Sequence, residues 1–388
     1  MKGLNDTILG TSDVAPGARV VVAMSGGVDS SVAAALLAER GFEVIGMSLR
    51  LAAETSGAGR SSGCCSIDDF RDAARVAEIL GIPHYVLDMR EAFHRAVITP
   101  FVEEYLAGRT PSPCILCNRE IKFGILHRKA RELGAHYVAT GHYAIREHSE
   151  GRFRLLRAAD PAKDQSYFLF ETGQEQLAAT LFPVGRLTKE EVRTVADAKG
   201  LPVARKPESQ EICFVPDGRY ADFVARQAPE RIRPGTIRDE RGHEIGRHEG
   251  VHRFTIGQRR GIGVAAAEPL YVSEVDADTA TVVTVPRERL ARAGLEAGGV
   301  RWTSGRAEED GAVVDVRIRH RHSSVPARVH NLGEGRIRIL FETPEPAVTP
   351  GQAAVLYRGD EVLGGGWIER AVDAGENVTR GVGEAQCE

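Results

Sequence analysis

Residues Arg19-Val-Val-Val-Ala-Met-Ser-Gly-Gly-Val-Asp-Ser-Ser31 (RVVVAMSGGVDSS) decide how the chain is read. A short β-branched run predicts a buried strand. The two glycines predict a tight turn, and Ser31-Val-Ala-Ala-Ala-Leu-Leu-Ala-Glu-Arg40 predicts a helix closed by Gly41. Strand, glycine turn and helix N-terminus together make an anion site. The glycines let backbone approach a phosphate, Ser25, Ser30 and Ser31 add hydroxyls, and the helix dipole adds partial positive charge. No Gly-Lys-Ser/Thr follows, so this is not a Walker loop. Asp29 would repel phosphate unless it orders the loop or takes part in magnesium binding.

Outward from this unit the alternation continues. Strands are predicted at Glu43–Leu49, His84–Asp88 and His136–Thr140. Helices are predicted from Ser66, with Asp69 in capping-box spacing, to Gly81, then through Leu106, and from Asn118 to Leu133. Residues 1–16 read as a loose arm and 52–63 as a Gly/Ser/Ala-rich loop. Such alternation predicts an α/β doubly wound parallel sheet, with ligands at the carboxyl ends of its strands. From about Ile232 helical periodicity gives way to short strands at 269–275, 281–285, 313–320, 336–341 and 353–357, which predict small β-rich and β-barrel domains. The expected divisions are 17–217, 218–294 and 295–371, with a disordered tail.

The 388 residues suit two or three domains, with 42% hydrophobic and 27% charged residues, as in soluble globular proteins. Net charge is -4, so no global positive field points to nucleic acid. Basic residues still cluster: Arg226–Arg260 holds 9 Arg against 5 acidic residues, and Asp315–His330 holds 4 Arg against 1 Asp. No apolar run could span a bilayer and no signal peptide opens the chain. Six cysteines without a disulfide framework point to a reducing cytoplasm, where paired cysteines are reactive or metal-bound. Cys114 and Cys117 are such a pair, following two prolines and preceding a helix.

Seven further stretches carry a resemblance. Cys117-Asn-Arg-Glu-Ile-Lys-Phe123, Ala139-Thr-Gly-His-Tyr143, Lys163-Asp-Gln-Ser-Tyr-Phe-Leu169, Leu181-Phe-Pro-Val-Gly185, Glu211-Ile-Cys-Phe214, Thr255-Ile-Gly-Gln-Arg259 and Val348-Thr-Pro-Gly-Gln352 occur in this order. With Ser25–Ser30 as a pyrophosphate-loop signature, the chain resembles the tRNA-specific 2-thiouridylases from about residue 19 to 370. That resemblance implies ATP-dependent adenylation of the wobble-uridine 2-oxygen, followed by sulfur transfer, with AMP and pyrophosphate released. It implies ATP contacts at Ala23, Met24, Ser25, Gly26, Gly27, Val28, Asp29 and Ser30, with Leu49 and Gly141 lining the adenosine pocket and magnesium accompanying the nucleotide. Cys117 matches the nucleophile and Cys213 the persulfide carrier, ending as a Cys117–Cys213 disulfide. Ser112, Pro113 and Cys114 are expected against the target base, and Lys163, Asp164, Gln165, Arg319 and His320 against tRNA. The implied partners are a tRNA with a wobble uridine and a persulfide sulfur-relay or cysteine desulfurase donor protein, with no membrane.

One position departs from the family pattern. Three residues before the nucleophile the pattern has an aspartate suited to acid–base work, and here Cys114 stands there. Cys114, Cys117 and Cys213 then form the ligand set of a possible iron–sulfur cluster, which related thiolation enzymes use to carry sulfide. The persulfide cycle and the cluster both stay open at this level. Two other classes compete with thiolation. A pyrophosphate-loop amidotransferase or ligase leaves Cys213 without a purpose, and an RNA-binding module with a metal clip leaves the Ser25–Ser30 loop unexplained. Cys64, Cys65 and Cys387 read as ordinary cysteines.

Overall fold

The computed structural model describes residues 9–51, 66–208, 212–215 and 218–376. The expected loop at 52–63, Cys64, Cys65, Glu211 and the tail beyond 376 with Cys387 lie outside the described residues. Seven strands belong to the first half: β1 (Arg19–Ala23), β2 (Glu43–Arg50), β3 (His84–Asp88), β4 (Tyr137–Thr140), β5 (Ile145–Ser149), β6 (Arg152–Leu156) and β7 (Thr180–Leu181). Five of them form a sheet in the order β3-β2-β1-β4-β7, parallel throughout. The chain steps outward from β1 through β2 to β3, then returns to the other side of β1 with β4. The carboxyl ends of β1 and β4 therefore flank the crevice at a topological switch point.

Alternation along β1 explains the two layers. Val20 and Val22 enter one apolar cluster with helix α1 (Val28–Glu39), α2 (Ile67–Leu80) and the later Val192 and Val195, while Val21 enters another. That second cluster holds the helical segment α3 (90–106), the segment α4 (113–132) and Val224. α2 begins with the predicted capping box, in which Ser66 Oγ accepts from the Asp69 N–H (3.1 Å), and ends at left-handed Gly81. Two short helices, α5 (Gln174–Ala178) and α6 (Lys189–Ala198), and then α7 (Tyr220–Gln227) complete the set.

Three expectations are corrected. The arm is not loose over 9–16: Leu9 is fully buried, and Arg146 binds Asp13 (2.8 Å) and the Gly10 carbonyl (3.0 Å). The helix expected from Asn118 begins earlier, at Pro113, whose fixed φ suits a first turn and whose missing N–H costs nothing there. Cys117 is thus inside α4, at the start of a π-helical stretch (Cys117–Ile125), and Cys114 occupies the N-terminal turn instead. The β5–β6 hairpin went unpredicted, because it turns on Glu150 and Gly151, both at positive φ (52° and 73°), without the usual Asn-Gly signal.

The second half is β-rich. β8 (Gly235–Arg238), β9 (Glu244–His248), β10 (Tyr271–Asp276) and β11 (Thr281–Val285) make a sheet ordered β10-β11-β8-β9, with β8 and β11 parallel. β12 (Ala291–Trp302), β13 (Ala312–Arg317), β14 (Val325–Gly333), β15 (Arg336–Pro346), β16 (Ala353–Arg358) and β17 (Glu361–Val372) close through the β12–β17 pairing into a six-stranded antiparallel barrel. β6 pairs with β17, so the hairpin of the first half extends the barrel sheet. Among the described residues no helix is long and apolar enough to cross a membrane.

Candidate active site

The turn after β1 is folded onto itself by its own hydroxyls. The Ser25 N–H donates to Ser30 Oγ (3.2 Å), while Ser30 Oγ (3.2 Å) and Ser31 Oγ (2.8 Å) donate to the Gly27 carbonyl. Gly26 has φ +73°, and a Cβ there would stand 2.2 Å from the Asp69 carbonyl oxygen, so only glycine lets α2 pack behind the turn. The N–H groups opening α1 have no carbonyl one turn earlier to pair with, which aims them at the crevice. Ala23 ends β1, Met24 and Val28 are buried, and Leu49 lies near the carboxyl end of β2 at 9% exposure. Gly141, just past β4, is pressed against α1: a Cβ would lie 2.5 Å from Ser30 N and 2.7 Å from the Asp29 carbonyl carbon. All the expected nucleotide residues therefore gather at one switch-point crevice.

Asp29 is not left to repel an anion. Tyr143 donates its hydroxyl to Asp29 Oδ1 (2.7 Å), and Lys189 Nζ reaches both carboxylate oxygens (2.8 and 2.9 Å). Lys189 also binds Glu208 (2.6 Å), which in turn binds Lys163 (2.6 Å). Burial pushes the Glu208 carboxyl up, but the two lysines outweigh it and hold it below its ordinary value. Lys206 donates to the Gly26 carbonyl (3.0 Å) and pairs with Asp69 (2.7 Å) and Asp72 (2.6 Å), and those carboxylates raise its pKa against its burial. Two lysines, Lys189 and Lys206, thus contact the turn, and Lys163 is joined to Lys189 through Glu208. Sequence reading passed over Lys189 and Lys206, and for Lys189 a signal existed. It opens α6 immediately after the capping Thr188, where the helix dipole disfavours a cation.

A second set of contacts ties α4 to the same crevice. Lys122 Nζ lies 3.2 Å from His142 Nε2, and His142 Nδ1 lies 2.8 Å from Thr140 Oγ1. Burial, then the Lys122 charge, holds the His142 imidazole well below its ordinary pKa, so it is neutral. One turn before Lys122, buried Cys117 belongs to an apolar cluster packed by the half-buried Cys213. Cys114 is exposed, on the first turn of α4, after buried Ser112 and Pro113. Among the described residues no three His, Cys, Asp or Glu side chains converge to hold a single metal ion.

The residues expected to face RNA divide into two groups. Lys163 is half-buried on Glu208. Asp164 is 5% exposed, accepts from the Ala158 and Ser166 N–H groups (3.2 and 3.1 Å) and pairs with Arg317 of β13 (2.7 Å). Gln165 brackets Tyr143, accepting its N–H on Oε1 (2.9 Å) and donating its own N–H to the Tyr143 carbonyl (2.9 Å). His320 donates to the Asp164 carbonyl (3.1 Å) and lies over Phe168 (centroids 4.4 Å apart), while Arg319 reaches the Pro346 carbonyl (3.4 Å). Asp164, Gln165 and His320 thus join the barrel to the crevice, with Arg317 as the unpredicted pivot.

Residues 18–217 match the family model described as the tRNA methyl transferase HUP domain. Residues 221–286 match the tRNA methyl transferase PRC-barrel domain, and 292–368 the aminomethyltransferase beta-barrel domain. The chain is 52% identical over 362 residues to the tRNA-specific 2-thiouridylase MnmA of Geotalea uraniireducens (strain Rf4), covering 92% of this chain and 96% of that protein. It is 51% identical over 352 residues to the protein of the same name from Moorella thermoacetica (strain ATCC 39073 / JCM 9320), covering 90% and 99%. A solved NMN synthetase from Francisella tularensis is 17% identical, with a TM-score of 0.34 over 57% of this chain and 82% of that one.

Proposed function

The chain belongs to the tRNA-specific 2-thiouridylase family, and we propose that it works as an ATP-dependent tRNA uridine 2-sulfurtransferase through the crevice between β1 and β4. A uridine carbonyl is a poor electrophile because oxide is a poor leaving group. Attack of its 2-oxygen on the α-phosphorus of ATP expels pyrophosphate and leaves AMP on that oxygen. The α1 N-terminus and Lys189 would hold the phosphates, with Asp29 and Glu208 keeping Lys189 aimed. Magnesium would arrive on those phosphates, as it usually does, rather than in a protein cage.

Sulfur then replaces AMP at carbon 2. A persulfide on Cys213, loaded by a donor protein, attacks with its terminal sulfur, and the C–O bond to AMP breaks. The Cys117 thiolate next attacks the Cys213 sulfur and releases the 2-thiouridine, leaving a Cys117–Cys213 disulfide that a thiol reductant reopens. The observation that carries this reading is the company Cys117 keeps. It shares one apolar cluster with Cys213, and its helix is tethered to the β4 turn by Lys122 and His142. Cys114, exposed on the first turn of the same helix, is the group offered to the base, with the buried Ser112 and Pro113 holding that turn from behind; Lys163 and Arg319 are the cations for RNA. The iron–sulfur alternative would take Cys114, Cys117 and Cys213 as ligands and supply sulfide from an open iron; no step is routed through it.

The test uses the purified chain with an unmodified wobble-uridine tRNA transcript, ATP and a persulfide donor. Thiolation with equal AMP release is expected, lost in Cys117→Ser and Cys213→Ser while RNA-dependent pyrophosphate release persists. Thiolation that survives both substitutions would overturn the assignment, as would strict dependence on bound iron.

A further inference from the structure

Two motifs of the second half, Thr255–Arg259 and Val348–Gln352, have no role in the chemistry above, yet both end on the same short stretch. Thr110-Pro111-Ser112-Pro113 leads into α4 and the cysteines. Its two prolines carry no N–H, so the stretch cannot hold itself with a regular backbone ladder. The barrel supplies the missing bonds. Gln352 Nε2 donates to the Thr110 carbonyl (2.8 Å) and the Pro111 carbonyl (3.3 Å), and the Thr110 N–H donates to the Pro350 carbonyl (2.9 Å). The Thr255 hydroxyl, from the segment before β10, meets the Thr110 hydroxyl (3.2 Å).

The clamp is itself rigid. Gly351 donates to the Ile368 carbonyl (2.9 Å), and Ile368 donates to the Gln352 carbonyl (2.8 Å), which fixes the turn to β17. Gly351 sits at φ +88°, and a Cβ there would stand 2.9 Å from Thr110 N, so close approach requires glycine. A primary amide is the side chain suited to two adjacent carbonyls, because its two hydrogens diverge from one nitrogen.

We propose that Gln352 is a positioning residue for sulfur transfer: it fixes the backbone that leads into α4 and so sets where the first turns of that helix carry Cys114 and Cys117, making the barrel and the first-half helix one jaw. The proposal rests on the thiolation reading above. Gln352 acts on the stretch through the 110–111 carbonyls. Removing it lets the stretch drift, and a drift near 1 Å is worth about 100-fold in a reaction that depends on alignment.

Gln352→Ala and the isosteric Gln352→Glu, which keeps the volume and loses both donors, are compared with the parent chain in two assays. Amide hydrogen exchange of peptides over 110–116, in the protein alone, should be at least 10-fold faster in both variants. Thiolation kcat should fall 10- to 100-fold, with the KM for ATP and RNA-dependent pyrophosphate release within 2-fold of the parent. Unchanged exchange overturns the clamp whatever the protein's activity. A parallel fall in pyrophosphate release overturns the positioning role in favour of a general structural one. A parent chain that fails to thiolate refutes the functional reading, and the role at that step with it, while exchange still decides the clamp.

Discussion

At the residue scale, Asp29 and Lys189 show how charge is managed in the crevice. An isolated carboxylate in a phosphate site would cost affinity, but Tyr143 and Lys189 occupy it before any nucleotide arrives. Burial and the Asp29 charge raise the Tyr143 phenol well above its ordinary value, so it stays a hydrogen-bond donor. Replacing Lys189 with Ala should lower RNA-dependent pyrophosphate release by roughly 100-fold, the scale of losing one fixed donor to a charged transition state. Lys189→Arg should restore part of it. An ATP titration of pyrophosphate release checks this, and parent-like kinetics in the alanine variant would refute the role. Gly141 and the serines of the turn were legible from their motifs. Lys189 carried a local signal as a cation opening a helix, but its partner was not legible, because Asp29 is 160 positions away and no local pattern encodes that distance.

At the element scale, the decisive pieces are the turn between β1 and α1 and the π-helical stretch of α4. The turn works because α2 backs it, and α2 can approach only where Gly26 has no side chain. Gly26→Ala should destabilise the protein by at least roughly 1–2 kcal/mol from left-handed strain alone, and more from overlap with the Asp69 carbonyl. A lowered melting temperature together with weakened ATP dependence is expected, and a variant with parent-like stability would contradict the packing. In α4, Gly124 lets the Arg119 carbonyl come within 3.0 Å of where a Cβ would be, a closeness that suits the wider π turn. The sequence predicted a helix here but placed its start five residues late. Proline at the first helical position was the available signal, and two prolines in series masked it.

At the scale of the whole molecule, the barrel is part of the catalytic body. One buried cluster takes Ile115 and Phe123 from α4, Tyr167 and Phe170 from the segment 163–170, and Val355 and Tyr357 from β16. The Asp164–Arg317 pair and the Trp367 bond to Glu171 (3.1 Å) cross the same boundary, and Arg119 holds Glu171 from the first-half side (2.9 Å). Burial there outweighs these partners and raises the Glu171 carboxyl. Histidines sit in such buried places too: His84, His127, His142, His248, His252, His320 and His322 are all held below 6.5, chiefly by burial, and His127 is pushed down to about 4. The folded state then binds fewer protons than the unfolded chain below pH 6.5, so stability is full above that pH and falls as acid is added. For His127 alone the loss from pH 7.5 to 5 is roughly 2 kcal/mol. Urea unfolding at the two pH values should show a loss at least that large, reduced by about that amount in His127→Gln. A flat profile would refute it. By itself the sequence determined the strand–turn–helix unit with its glycine turn, the doubly wound first half and the β-rich second half. Each of these follows from local periodicity and backbone sterics. Only the tertiary structure decided that Cys117 shares a cluster with Cys213, that Lys189 guards Asp29, and that Gln352 grips the Thr110–Pro111 carbonyls. Those are contacts between segments far apart in the chain, chosen by how buried apolar faces close on one another, and that choice leaves no periodic trace in the sequence.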